Sequence, residues 1–290
     1  MSKKVFRLIA FAAFCVFLGR AYQLYFFGGS YRAVLWDEDL MSPIVEGIFD
    51  VQWYDYATSK NVNNYIELFT KINSIIFLIS AVISLFWEQI KEKRLKRLVG
   101  IGLVLLVLLG ICSAIDKRND IFQFFEMILQ FSAPLALLLI KDVENVDKKR
   151  IILWFKIAVA LTFLPHGLYA LGAIYVPGNF IDMTIAILSV TETTAKQFLL
   201  IVGLLDIILS IVIFFPNKID KYLLMYLAFW GFATAFARIV AGFDSNFPAN
   251  SIHELSYLTI YRLPHGIIPL CILLLIKNNQ NKTINNLKTV

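Results

Sequence analysis

Leu164-Pro165-His166-Gly167-Leu168-Tyr169-Ala170-Leu171-Gly172 sets a histidine, a proline and two glycines inside an apolar run that begins near Ile151. Some thirty residues on, Gly203-Leu204-Leu205-Asp206 puts a carboxylate inside the next apolar run. An ionisable group at membrane depth is costly, so it normally faces a bundle interior and marks a site. These two runs decide the fold, because the rest of the chain repeats their pattern.

The 290 residues are 59% hydrophobic and only 17% charged, with mean hydropathy +0.70. A soluble domain carries about 25% charged residues. The apolar residues fall into runs of about 20, the length that spans a hydrocarbon core. The pattern predicts an all-α, polytopic membrane helix bundle of about eight transmembrane helices. The expected spans begin after Arg7 and end near Phe27, then occupy 66–87, 98–115, 121–140, 151–176, 195–215, 222–242 and 255–276. The connection 28–65 is long, acidic and aromatic, and 33–48 reads as a short interfacial helix. Residues 177–194 read as interfacial or re-entrant, 243–254 as a polar loop, and 278–290 as a poorly ordered tail.

The net charge of +6 sits in short loops between apolar runs, which makes it a topology signal and not a nucleic-acid surface. The N-terminus, 88–97, 141–150, 216–221 and the tail hold most of the lysines and arginines. The positive-inside rule then places both termini in the cytoplasm of a cell that has a bacterial-type inner membrane. Cys15, Cys112 and Cys271 lie in three separate runs with no Cys-x-x-Cys, which disfavours thiol–disulfide chemistry. No His/Cys/Asp spacing matches a metal pattern.

The chain also reads as an internal repeat, with 1–150 and 151–277 as two four-helix units. Tyr22 falls on Tyr169 at an offset of 147, and Glu67-Leu68-Phe69 falls on Lys196-Gln197-Phe198 at an offset of 129. Pro134-Leu135 through Ile140-Lys141 mirrors Pro269-Leu270 through Ile276-Lys277. Four spans per unit make the repeats parallel, related by an axis along the membrane normal.

The polar residues within the spans gather on one side of the bundle. Arg20, Glu126, His166, Arg238, Arg262 and His265 all fall in the extracytoplasmic half, and Asp206 lies near the middle. Lys71 and Asn73 lie outermost in span 2, and Gln130 lies one turn deeper than Glu126. Pro165-His166-Gly167 and Pro264-His265-Gly266 are the same tripeptide in two spans. Proline frees a backbone carbonyl one turn earlier, and glycine admits a ligand or a helix. A histidine beside such a break can bond a carbonyl oxygen or shuttle a proton. Bland alternatives stand beside these readings. Arg20, Lys71 and Arg238 could snorkel to headgroups, and Asp206 and Glu126 could serve as structural partners of arginines.

Residues 151–277 resemble the DoxX-like four-helix membrane family. The likeness rests on His166-Gly167 near the outer end of a first helix, a proline-containing amphipathic connection (177–187), and Gly203-Leu204-Leu205-Asp206 in a second helix. The first half resembles a degenerate copy, with Arg20 where Gly167 stands and Phe77 where Asp206 stands. The family resemblance implies a link to quinone or thiol redox in the membrane, since one member resembles a subunit of a thiosulfate:quinone oxidoreductase. A fainter similarity is to the transmembrane part of vitamin K-dependent carboxylase-like proteins, which also bind quinones. Two functions follow. One is a quinone-associated redox protein or subunit, drawing electrons from a redox partner protein or a small molecule. The other is non-enzymatic binding or transport of an anionic solute or lipid headgroup. A quinone needs one or two donors in an apolar aromatic pocket, whereas an anion needs several convergent cations.

Overall fold

The computed structural model describes residues 1–140, 143–144, 146–215 and 219–288, with side chains described as far as residue 277. Its elements are α1 (Lys3–Phe26), α2 (Arg32–Leu35), α3 (Glu38–Val45), α4 (Trp53–Thr58), α5 (Lys60–Leu85), α6 (Lys93–Asp116), α7 (Ile121–Phe125), α8 (Ile128–Leu139), α9 (Lys148–Leu171), α10 (Gly178–Leu188), α11 (Glu192–Val212), α12 (Asp220–Gly242), α13 (Pro248–Ile260) and α14 (Pro264–Lys288). Among the described residues, eight segments are long and apolar enough to cross a membrane, with α7–α8 and α13–α14 each forming one of them. The expected helical membrane bundle is therefore the observed fold.

Polar side chains set the helix starts. Ser2 accepts from the Val5 amide at the head of α1, Ser59 from Val62 at α5, and Asp147 from Lys149 and Arg150 at α9. Each satisfies amides that a helix start leaves without partners. Several spans consequently begin earlier than their apolar runs, α5 at Lys60 and not near Ile66.

α1 is the central helix and packs against α5, α8, α13 and α14. Its alanines and Gly19 allow close approach; a Cβ on Gly19 would lie 2.8 Å from the Tyr261 amide nitrogen. α5 runs antiparallel to α1: Ser74 Oγ donates to the Ala21 carbonyl at 2.8 Å, Phe77 meets Phe17, and Glu88 meets Arg7. α9 and α11 pair in the same sense through Gly167 and Gly203. Apolar side chains such as Val104, Ile201 and Phe229 point outward, the arrangement expected of a surface solvated by lipid.

Several expectations are corrected. The fourth span is broken between α7 and α8, although no proline lies at the break. Thr162 of α9 causes it. The Thr162 hydroxyl accepts from the Leu129 amide at 3.1 Å and donates to the Phe125 carbonyl at 3.3 Å. It thereby occupies both ends of the bond the helix would have made. The eighth span is broken too, between α13 and α14, and here Pro264 is the reason: it supplies no amide and restricts the residue before it. The polar stretch 243–254 is helical from Pro248, and the last helix runs to Lys288. Residues 33–48 hold two short helices, α2 and α3, instead of one. α9 stops at Leu171, where Gly172 takes a left-handed conformation (φ 73°), short of the expected 176. The connection 177–194 contains a regular helix, α10.

Candidate functional site: two cavities that meet at a histidine pair

The polar residues of the spans surround two adjoining cavities in the half of the bundle away from the N-terminus. The first, of about 190 Å³, lies between α9, α11, α12 and α14 under a roof formed by α10. Its walls are apolar and aromatic: Phe163, Phe180, Met183, Phe198, Val202 and Trp230 are among them. His166, Asp206, Arg238 and His265 face into it. Thr184 and Thr234 line it as well, but their hydroxyls donate to the Phe180 and Gly231 carbonyls of their own helices.

Glycines hold these walls together. A Cβ on Gly167 would lie 2.7 Å from the Gly203 carbonyl oxygen, so α9 and α11 touch backbone to backbone immediately beside His166. Three residues after Gly203 on α11, Asp206 is carried round to face the cavity. A Cβ on Gly231 would overlap the His265 carbonyl, so this glycine sets the approach of α12 to α14. The glycines beside and opposite the two histidines therefore serve helix packing.

Two atoms in this cavity lack partners. Asp206 is 4% exposed; its Oδ2 accepts from Trp230 Nε1 at 3.3 Å, while Oδ1 has no hydrogen bond. Arg238 Nε is likewise buried without an acceptor. Buried polar groups are nearly always satisfied, and leaving them open carries a free-energy cost. An unpaired acceptor and an unpaired donor on residues that line one apolar cavity match a ligand that is mostly apolar and bears polar oxygens.

The second cavity, of about 160 Å³, is polar. Arg20 forms one wall, 6% exposed, with Nε and Nη2 donating to Gln130 Oε1 at 3.0 and 2.7 Å and Nη1 donating to Gln23. Tyr261 lies between two guanidinium groups, Arg20 at 3.8 Å and Arg262 at 4.6 Å from its ring centre. Arg262 also donates to the Leu258 carbonyl at 3.0 Å. Glu126, at the α7–α8 break, pairs with His166 Nδ1 at 3.3 Å. Tyr169 donates to Asp120 and accepts from Gln123 at 2.9 Å. Asp116 and Lys117 stand exposed at the rim. Just outside, the Tyr31 hydroxyl is buried without a partner. Burial, with Cys112 in support and Arg20 opposing, holds this phenol above its ordinary range.

All seven candidate residues thus border the two cavities. Asp206 and Arg238 belong to the apolar one, Arg20, Glu126 and Arg262 to the polar one, and His166 and His265 to both. Among the described residues no carboxylate lies within salt-bridge distance of Arg20, Arg238 or Arg262. Glu126 is paired with a histidine and not with an arginine. Arg20 does not snorkel; Lys71 does stand at the surface, donating to the Tyr25 carbonyl. The sequence reading passed over Trp230, Tyr261 and Thr162. The signal for Tyr261 was its place beside Arg262, and that for Trp230 was a lone indole in a span opposite an acid. The three cysteines are buried, free and far apart in sequence. Among the described residues no group of three or more metal-ligating side chains gathers.

These features define a multi-pass α-helical membrane protein with two adjoining cavities between its helices. No family model, curated protein or solved structure matches the chain.

Proposed function

We propose that the apolar cavity holds a lipid-soluble molecule bearing hydrogen-bonding oxygens, of the quinone class, and that the protein is a quinone-associated redox protein or subunit. The observation that carries this reading is a cavity walled by aromatic and aliphatic side chains whose lining residues include Asp206 and Arg238, each with a buried polar atom, Oδ1 and Nε, that has no protein partner. Arg238 and a histidine would donate to ring carbonyl oxygens, and Asp206 would accept from a hydroxyl of the reduced form. The bound molecule would supply the redox chemistry, and a partner protein or soluble reductant the electrons. The likeness of residues 151–277 to the DoxX-like family points the same way.

Anion capture is supported less well. Its cations do not converge: Arg20 is committed to Gln130 and Gln23, Lys71 is at the surface, and Arg238 faces an apolar chamber. Arg262 and Lys117 on the polar cavity are what remains for an anion, with Glu126 and Asp116 beside them.

We further infer that the chain sits in a bacterial-type inner membrane with both termini cytoplasmic, because its lysines and arginines concentrate in loops at the N-terminal end of the bundle. The site then opens extracytoplasmically. A two-repeat origin is supported by the matching α1–α5 and α9–α11 pairs and by the break in the last span of each half. The test of function is native mass spectrometry of the protein gently extracted from its own membrane, with its lipid extract analysed in parallel. A quinone retained by the wild type and lost from Arg238→Ala supports the reading. A retained phospholipid or small anion, lost on changing Arg262, replaces it with the binding or transport reading.

A further inference from the structure

Of the side chains that line the two cavities, His166 and His265 are the pair common to both. Their rings lie 6.0 Å apart, centre to centre, edge to face. They form the wall between an apolar chamber and a polar one. Each ring is held at one nitrogen. His265 Nδ1 lies 2.8 Å from the Arg262 carbonyl, which can only accept, so Nδ1 carries the proton and Nε2 is the basic nitrogen of the neutral ring. His166 Nδ1 faces Glu126 Oε1 at 3.3 Å. The carbonyl that fixes His265 belongs to the α13–α14 break, and the carboxylate that faces His166 sits at the α7–α8 break. Both interruptions therefore bring polar groups to this wall.

We propose that the histidine wall conducts protons between the chambers: an acidic oxygen of the molecule in the apolar cavity, held by the basic Nε2 of His265, exchanges its proton with the polar cavity through His166, and Glu126 passes it on. This rests on the reading of the apolar cavity given above. In each transfer an O–H bond of the ligand breaks as an N–H bond forms on an imidazole nitrogen. His166 Nδ1 then releases its proton, and an O–H bond forms on the Glu126 carboxylate. No electron moves in these steps. The two nitrogens of an imidazole let it accept on one side and donate on the other. The charged and titratable groups around the pair are Arg20 from α1, Asp206 from α11, Arg238 from α12, Arg262 from the α13–α14 break, Glu126, and Asp120 with Tyr169 beyond it. Asp116 and Lys117, exposed at the mouth, give the polar chamber its contact with solvent.

The probe is a hydroxynaphthoquinone, an acidic quinone whose colour reports its protonation state, added at saturation to the full-length protein in detergent. Stopped-flow pH jumps then read how fast the bound probe gains or loses its proton. The expected result is fast exchange in the wild type and exchange slowed roughly tenfold or more in Glu126→Gln and His166→Gln, with partial recovery in Glu126→Asp. Saturation removes any change in affinity from the comparison, and the near-isosteric glutamine variants keep it usable where a larger substitution fails to fold. Binding of the probe with equal exchange rates in all four proteins overturns the relay and leaves the cavity reading intact. Failure of the wild type to bind the probe overturns both.

Discussion

The two halves of the bundle treat one position in opposite ways. At an offset of 129 residues, Phe77 of α5 stands where Asp206 stands in α11. Phe77 is 0% exposed, packs on Phe17 at 5.8 Å between ring centres, and belongs to the main apolar core. Gly102 closes the same region, since a Cβ there would lie 3.0 Å from Phe17. Asp206 instead faces a hollow bordered by a small separate apolar cluster of Ala170, Leu199 and Val202. One helix pair spends its interior on packing, and the other keeps a cavity and an unsatisfied carboxylate oxygen. Dense packing is the default for protein interiors. A cavity lined by unpaired polar atoms lowers stability, and such a departure is characteristic of binding and catalytic sites.

That contrast can be broken from the packed side first. Phe77→Ala should cost about 3–5 kcal/mol, the usual range for emptying an aromatic site in a core, read as a lowered midpoint of unfolding in detergent. A loss under 1 kcal/mol would mean that the first half is not a closed core. Gly167→Val comes next, at about 1–3 kcal/mol, because its side chain would force α9 away from the Gly203 carbonyl. This variant should lose ligand along with stability, whereas a ligand-specific role for Gly167 predicts lost binding at unchanged stability. On the hollow side, Asp206→Leu combined with Trp230→Phe should raise stability by about 1 kcal/mol, since together they remove an unpaired buried acceptor and the donor that faces the same carboxylate, while abolishing ligand retention. Lower stability together with lower binding would instead mark Asp206 as structural. The smallest effect expected is from Arg20→Lys, about 1 kcal/mol. A lysine cannot reproduce the two bonds to Gln130 or the same stacking on Tyr261, and a thermal shift assay reads the change.

Much of this was legible in the sequence, and for a physical reason. Lipid admits few backbone solutions, so apolar runs of span length read directly as helices. The same solvent makes a polar side chain in a span conspicuous, which is why the seven candidate residues could be picked out before any packing was known. Long-range contacts were not legible. The α7–α8 break depends on Thr162, thirty-three residues from the amide it captures. Nothing within 121–140 announces it. The α13–α14 break is different, because Pro264 was visible; but it was read together with His265 as a site motif and not as the end of a helix. The glycines beside the histidines suggested room for a ligand, yet Gly167 touches Gly203 and Gly266 touches Phe232 across helix pairs. That assignment requires knowing which faces meet. The division of one polar cluster into an apolar and a polar chamber likewise depends on side-chain directions that spacing does not encode.

The most direct test of the central claim uses Trp230, whose indole donates to Asp206 in the wall of the apolar cavity. With Trp36, Trp53, Trp87 and Trp154 replaced by phenylalanine, its fluorescence reports occupancy of that chamber alone. Titration with a short-chain benzoquinone should quench it saturably. Ala233→Leu, which narrows the cavity, should weaken the probe at least about tenfold, equivalent to about 1.4 kcal/mol. Quenching that rises linearly without saturation, and equally in Ala233→Leu, would contradict a quinone site in this cavity.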